Sequence, residues 1–407
     1  GSRVRRLLVV SLVLAAVLAP TGSAAALPPV SPQLQRSLAR ALRVPHVSQT
    51  RSAAEALDLA SGAVVYAHNG SRSLAPASNE KLPVTYAALS VLGPSYRFET
   101  DVLGEGSQDG STWRGALVLK GGGDPSLTHW SLQALANQIR AAGIRDVIGG
   151  VVADESWFDS RRTAAGWKPG FYLNESAPLS ALVVDGDRVG GVLSRNPALS
   201  SGLAFRTALR KAGITVEGTV RVGVADEFVV PLASVKSPTL AAIVRFMDRE
   251  SDNLTAELLL KQLGATQTQR GTTAAGAAVV MHALAEAGVP MTGVRIVDGS
   301  GLSVLDRLTA NALTALLRTA WSDQEIHSAL VNALPVAGVN GTLEDRMRTG
   351  PARGNVIAKT GTTSEASALS GYVRRRFVFA IVQNGSPLAY WWARVAQDRF
   401  AQVLAAQ

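Results

Sequence analysis

The sequence predicts a mixed α/β protein in which a domain of antiparallel sheet and helices is split by a smaller inserted α+β domain. Three observations carry this. The chain has 407 residues, more than one ordinary core accommodates. It opens on a strand–helix pattern and closes on a helix–strand–helix pattern. The stretch between, residues 96–235, has another texture, with short β-like runs. The expected division is 1–26 as a signal peptide or N-terminal anchor, 27–95 with 236–407 as one discontinuous domain, and 96–235 as the insertion.

Each element follows from its own residues. Arg3, Arg5 and Arg6 precede the apolar run "LLVVSLVLAAVLAP", and small residues at 24–26 offer an Ala-x-Ala cleavage site. The apolar run is short for a spanning helix, which needs roughly 20 residues. An amphipathic piece lies around 33–43. Residues 55–70, "EALDLASGAVVYAHNG", alternate apolar and polar about Ser61-Gly62 and read as a hairpin. A helical pattern runs from Ser78 to Leu92 and stops at Gly93-Pro94. Pro83 falls in its first turns, where a missing N–H costs least.

In the insertion, "ALVLKGGGD", "IGGVVADES" and "TVRVGV" read as strands and "SLQALANQIRAAG" as the one clear helix. From 237 onward come "SPTLAAIVRFMDRESDNLTAELLLKQLG", "TTAAGAAVVMHALAEAG" and helices over 309–321 and 324–333. Residues 354–385 then read as an antiparallel strand pair, followed by a helix over 388–405.

Composition removes several function classes. Hydrophobic residues make up 47% and charged residues 17%, which is globular. There is no cysteine, so thiol catalysis and cysteine-ligated zinc are excluded, and an exported chain must rely on its cores rather than on disulfides. The five histidines (His46, His68, His129, His282, His327) form no metal-binding pattern, and no G-x-S-x-G elbow is present. A nucleophile here needs a base other than histidine, and no metal or cofactor is expected. The net charge of +9 suits an anionic cell-wall or membrane surface. No nucleic-acid-binding motif occurs.

Three short motifs carry chemistry in order: Ser78-Asn79-Glu80-Lys81, Ser251-Asp252-Asn253, and Lys359-Thr360-Gly361-Thr362. Residues i and i+3 share a helix face, so the Lys81 amine reaches the Ser78 hydroxyl. A lysine acts as a base only when neutral, so its pKa must be lowered by burial and a nearby cation, for which Lys359 is the candidate. Ser251 is placed to relay a proton and Asn253 to hold a substrate amide, while Asp252 reads as structural. Gly361 lets a substrate backbone approach the strand. The Ser78 and Thr362 N–H groups would form an oxyanion hole, and the Thr360 and Thr362 hydroxyls would take a terminal carboxylate. Taken singly, each motif reads as well as a helix cap or a turn. The three in sequence are the S-x-x-K, S-D-N and K-T-G set of serine β-lactamases and penicillin-binding proteins.

With "GGGDPSLT", "ADESWFD", "VDGSGLS" and "LPVAGVNGTL" added, the chain resembles the class C low-molecular-mass penicillin-binding proteins over about 50–400. These are exported D-alanyl-D-alanine carboxypeptidases and endopeptidases. The resemblance implies a penicillin-recognising α/β domain interrupted after its first motif, peptidoglycan stem peptides as substrate and β-lactams as covalent inhibitors. The stretch from Ser78 to Ser251 looks short for this family. Asp154 and Trp157 are the candidates for substrate contact from the insertion, with a turn aspartate and a buried tryptophan as the alternative. A β-lactamase and a catalytically silent wall-binding scaffold are the rival readings. No Glu-x-x-Leu-Asn loop supports the first, and a scaffold needs neither lysine.

Overall fold

The computed structural model describes residues 31–189 and 191–407. The expected leader, 1–26, lies outside them. The N-terminal part holds helix α1 (Pro32–Leu42), strands β1 (Ser52–Asp58) and β2 (Val64–His68), a 3-10 turn (Ala77–Glu80) and helix α2 (Lys81–Leu92). The structure moves the start of the second helix. Ser78 sits in the 3-10 turn, not in the α-helix, because Ala77 adopts a left-handed φ of 49°. That conformation is costly for a residue with a Cβ and persists only where its surroundings enforce it.

The middle of the chain supplies β3 (Glu99–Gly104), β4 (Ser107–Asp109), β5 (Thr112–Arg114), β6 (Leu117–Lys120), α3 (His129–Ala141), β7 (Asp146–Val147) and β8 (Val151–Asp154). It continues with β9 (Arg188–Val189), β10 (Val192–Leu193), α4 (Pro197–Lys211), β11 (Thr215–Val216), β12 (Val220–Val222) and β13 (Val230–Lys236). A five-stranded sheet runs β12-β8-β6-β3-β13 and a four-stranded one β11-β7-β5-β4. Helices α3 and α4 pack on these strands around Leu135, Ile139, Phe205 and Leu209. The sequence reading found one helix here and the structure has two. The helix α4 follows an Asn196 cap and Pro197, but serines and Gly202 dilute its apolar stripe. Gly202 is required, since a Cβ there would stand 2.8 Å from Val220.

The last part holds α5 (Leu240–Glu250), α6 (Asn253–Thr268), α7 (Thr273–Glu286), α8 (Ala310–Ser322) and α9 (His327–Ala333). Then come β14 (Val356–Thr362), β15 (Ala366–Val373), β16 (Phe377–Asn384) and α10 (Tyr390–Ala405). The expected strand pair is thus three strands, with Arg374 and Arg375 at positive φ turning the second hairpin. These join the N-terminal strands in one antiparallel sheet ordered β14-β15-β16-β1-β2. The sheet closes through β1 on β16, from Ser52↔Gln383 to Asp58↔Phe377.

Both faces of this sheet are covered, which explains the near-continuous apolar letters of β15 and β16. One face carries α2 and α5 to α9 around Leu82, Leu89, Met247, Leu259 and Leu316. The other carries α1 and α10 around Leu38, Phe379, Ile381 and Phe400. Helix α2 is buried on nearly every side from Lys81 to Leu89, so it shows no amphipathic stripe. Among the described residues no helix is long and apolar enough to cross a membrane.

Candidate active site

The site lies where α2, the α5–α6 junction and edge strand β14 converge. Lys81 is fully buried and its Nζ makes three contacts: Ser78 Oγ at 3.1 Å, Asn253 Oδ1 at 2.8 Å and the Ser300 carbonyl at 2.8 Å. The last two are pure acceptors. They occupy two N–H groups, so on a neutral amine the lone pair is left for the Ser78 hydroxyl. Asn253 stays in place because its Nδ2 donates to the Glu175 carbonyl at 2.8 Å. Ser251 is the left-handed residue (φ 57°) between α5 and α6, and Asp252 caps α6 through Thr255 N at 2.7 Å.

Lys359 is also fully buried. Its Nζ donates to Ser251 Oγ and to the Thr360 carbonyl, both at 2.9 Å. Burial pushes both ammonium groups down, Lys81 to about 8 and Lys359 to about 7, and the Lys81 charge pushes Lys359 further. Burial is what lowers Lys81; the push expected on it from the Lys359 cation falls on Lys359 instead. Asp298, Asp252, Asp248 and Glu257 act the other way on Lys81.

The strand β14 approaches Ser78 closely. A Cβ on Gly361 would stand 3.0 Å from Ser78 N and 2.9 Å from the Pro76 carbonyl. This brings the backbones of Ser78 and Thr362 to one spot. Thr360 turns its hydroxyl to Thr342 Oγ1 at 2.7 Å, while Thr362 is exposed at the strand end. Ser78, Lys81, Ser251, Asn253, Lys359, Gly361 and Thr362 are therefore gathered in one place.

Asp154 and Trp157 are not. Asp154 is buried at the end of β8, where it accepts from Ser156 N at 2.8 Å and Ala225 N at 3.0 Å. The Trp157 indole donates to Gln262 Oε1 at 2.9 Å. Gln262 lies nine residues beyond Asn253 on α6, about 13 Å along the axis. Asp154 thus braces the insertion internally, while Trp157, still partly exposed, links the insertion to α6.

Two contributors were missed in the sequence. Asn79, fully buried, donates to the Lys359 carbonyl at 3.0 Å and ties the first motif to the third. Ser300 offers Lys81 its carbonyl from the loop 297–303. That loop hangs on carboxyl groups. Asp298 accepts from Gly301 N, Ser303 N and the Trp167 indole, Glu257 from Gly299 N and Ser300 N, and Asp306 from Val297 N. The string "DGSG" is the only hint in the letters. Gly301 at φ 82° touches the Ala77 carbonyl so closely that no side chain fits.

Behind Lys81 these acids form a buried cluster. Both Glu80 oxygens, Glu257 Oε2 and Asp306 Oδ2 are buried without a partner. Burial, then Asp298, pushes Glu257 up to about 8 and Asp306 up to about 12; burial and the same neighbours push Glu80 well above the usual range. Folded Glu257 therefore holds a proton that the unfolded chain releases above about 4.5, and stability falls as pH rises from there to about 8. Glu257→Gln keeps the acceptor and removes the titration. It is expected to melt no higher than wild type near pH 4.5 and several degrees higher at pH 8. A difference constant across that range would contradict the assignment.

Comparison with known proteins identifies the family. The chain matches the profile of the D-Ala-D-Ala carboxypeptidase 3 (S13) family over residues 34–193 and 190–407. It is 33% identical to a D-alanyl-D-alanine carboxypeptidase of Actinomadura sp. strain R39, over 88% of this chain and 82% of that one. It is also 33% identical to carboxypeptidase DacB of Mycolicibacterium smegmatis, over 85% and 78%. The fold superposes on penicillin-binding protein 4 of Haemophilus influenzae with a TM-score of 0.80 at 22% identity, covering 91% of this chain and 98% of that one. The α/β sheet with its interrupted sequence is thus a penicillin-binding-protein fold. By profile, by relatives along most of its length and by fold, the chain belongs to the D-Ala-D-Ala carboxypeptidase 3 (S13) family.

Proposed function

We propose that the protein is a serine DD-peptidase that hydrolyses D-Ala-D-Ala termini of peptidoglycan stem peptides, or D-Ala cross-links, through an acyl-enzyme on Ser78. The observation that carries the residue roles is the Lys81 amine. It is buried, pushed towards neutrality and held by two acceptors with its third direction on Ser78 Oγ. Neutral Lys81 takes the Ser78 proton as Oγ attacks the penultimate D-Ala carbonyl. The oxyanion forms beside the Ser78 and Thr362 N–H groups, where losing one donor costs about 3–4 kcal/mol in comparable sites. Ser251, oriented by Lys359, passes a proton to the departing amine. The proton held by Lys81 refills Ser251, which leaves the lysine neutral again; water then attacks the acyl carbon, gives its proton to Lys81, and Lys81 passes that proton to the departing Ser78 Oγ.

Residues 27–95 and 236–407 form the catalytic unit in this reading, with 96–235 inserted. The shared sheet of β1, β2 and β14–β16 supports that division. Wall peptides lie outside the cytoplasm, so the basic–apolar segment 1–26 acts as the export signal or as an anchor. β-Lactams acylate Ser78 in place of the peptide.

Fluorescent penicillin tests the assignment. The purified protein is expected to carry one covalent label, and Ser78→Ala none at an unchanged melting temperature. Label on the alanine variant, or none on wild type, removes Ser78 as nucleophile. Masses of defined muropeptides after digestion then report terminal trimming against cross-link cleavage.

A further inference from the structure

The third motif has a charged neighbour that the mechanism above does not use. Arg394, on the second turn of α10, directs Nη2 at Thr362 Oγ1, 3.4 Å away. Among the described residues this is its one polar contact with another side chain, and no carboxylate lies within 4.0 Å of it. Its Nε is buried without a partner, and its guanidinium stands 5.5 Å over the Tyr390 ring. The helix carries an acid nearby, Asp398, but Arg346 holds it at 2.6 Å. A buried-stemmed guanidinium left without an anion beside an exposed hydroxyl is a vacant half of an ion pair.

The other groups of the motif are engaged elsewhere. Thr360 spends its hydroxyl on Thr342, and the Lys359 ammonium is enclosed by Ser251 and the Thr360 carbonyl. Thr362 differs. Arg394 donates to its oxygen, which leaves the O–H free to donate outward from the strand end. We propose that Arg394 determines specificity: it orients the Thr362 hydroxyl and supplies the charge that selects substrates ending in a free carboxylate next to the scissile bond. This assignment rests on the DD-peptidase reading and narrows it. The terminal carboxylate is taken by Thr362 and Arg394, and Thr360 serves to hold the strand.

The test uses two acyl-D-alanyl thioesters that differ only in ending on a carboxylate or on its primary amide, with thiol release as readout. Wild type is expected to prefer the carboxylate. Arg394→Ala should lose about tenfold or more in kcat/KM on the carboxylate, the scale of one charge-assisted hydrogen bond, and less than about threefold on the amide. Arg394→Lys should retain part of the preference, because a point charge replaces a fork. Equal losses on both substrates would make Arg394 a packing residue and overturn the proposal, as would no loss on either. Penicillin labelling of Ser78 in the same samples separates the two readings. Labelling without discrimination sinks only the role of Arg394, whereas a wild type that neither labels nor turns over sinks the peptidase as well.

Discussion

Lys81→Met is expected to slow acylation of Ser78 by penicillin about 10³-fold, within the usual range for removal of a general base. Methionine fills nearly the same volume and removes an ammonium whose burial is costly, so the core around Leu82 and Leu259 should hold. The variant leaves Asn253 Oδ1 and the Ser300 carbonyl without their donor, so its melting temperature should fall by a few degrees rather than collapse. The pH profile gives the sharper reading. Lysine is a base only when deprotonated, and the buried pair Lys81 and Lys359 is pushed to about 8 and about 7. The wild-type acylation rate should therefore climb as pH rises through that interval and level off above it. The residual rate of the methionine variant should lack the climb. A profile with the same rise in both proteins would assign the base elsewhere.

Gly361→Ala should cost about 10²-fold in the same reaction, although it adds one methyl group. The new Cβ would meet the Pro76 carbonyl at 2.9 Å and Ser78 N at 3.0 Å, and both are backbone atoms that no rotamer change moves aside. Either β14 shifts outward or the 3-10 turn shifts away, and each separates the two N–H groups that face the oxyanion. Displacement on the scale of 1 Å is worth about 10²-fold where geometry supplies the catalysis. The strand is anchored along its full length to β15, from Val356↔Val373 to Thr362↔Ser367, so thermal stability should change little. Acylation within threefold of wild type would mean that the turn yields freely and that the close approach has no catalytic consequence.

The convergence of Ser78, Lys81 and the flanking motifs was legible because each motif uses residue types that few other arrangements need, in a fixed order. Their supports were not. Asn79 and Ser300 act through an amide clamp and a backbone carbonyl, and neither leaves a pattern in the letters. The carboxyl cluster of Glu80, Glu257, Asp298 and Asp306 is scattered along the chain and meets only after folding. Arg394 is one of many arginines in a basic sequence, and nothing local marks it as the one beside Thr362. Asp154 and Trp157 stand apart from the three motifs for another reason. Their segment resembles the family, but the contacts it makes are internal, to Ala225 and Gln262. The alternation of β1 and β2 was readable, whereas a third C-terminal strand was concealed because burial on both faces erases the period of two.

The closure of the catalytic sheet through β1 and β16 has a consequence for the order of events in synthesis and export. A chain delivered from its N-terminus presents Ser78 early, but the strand that completes the pocket and the two that attach it to β1 come near the end. Until some three hundred further residues have followed, the serine has no oxyanion partner and the lysine no dry surroundings, so it keeps its proton. Pairings between segments so far apart also form slowly. The enzyme is thus silent by topology during its own delivery, and any truncation that removes β16 and α10 should abolish penicillin labelling of Ser78 although all three motifs remain in the chain.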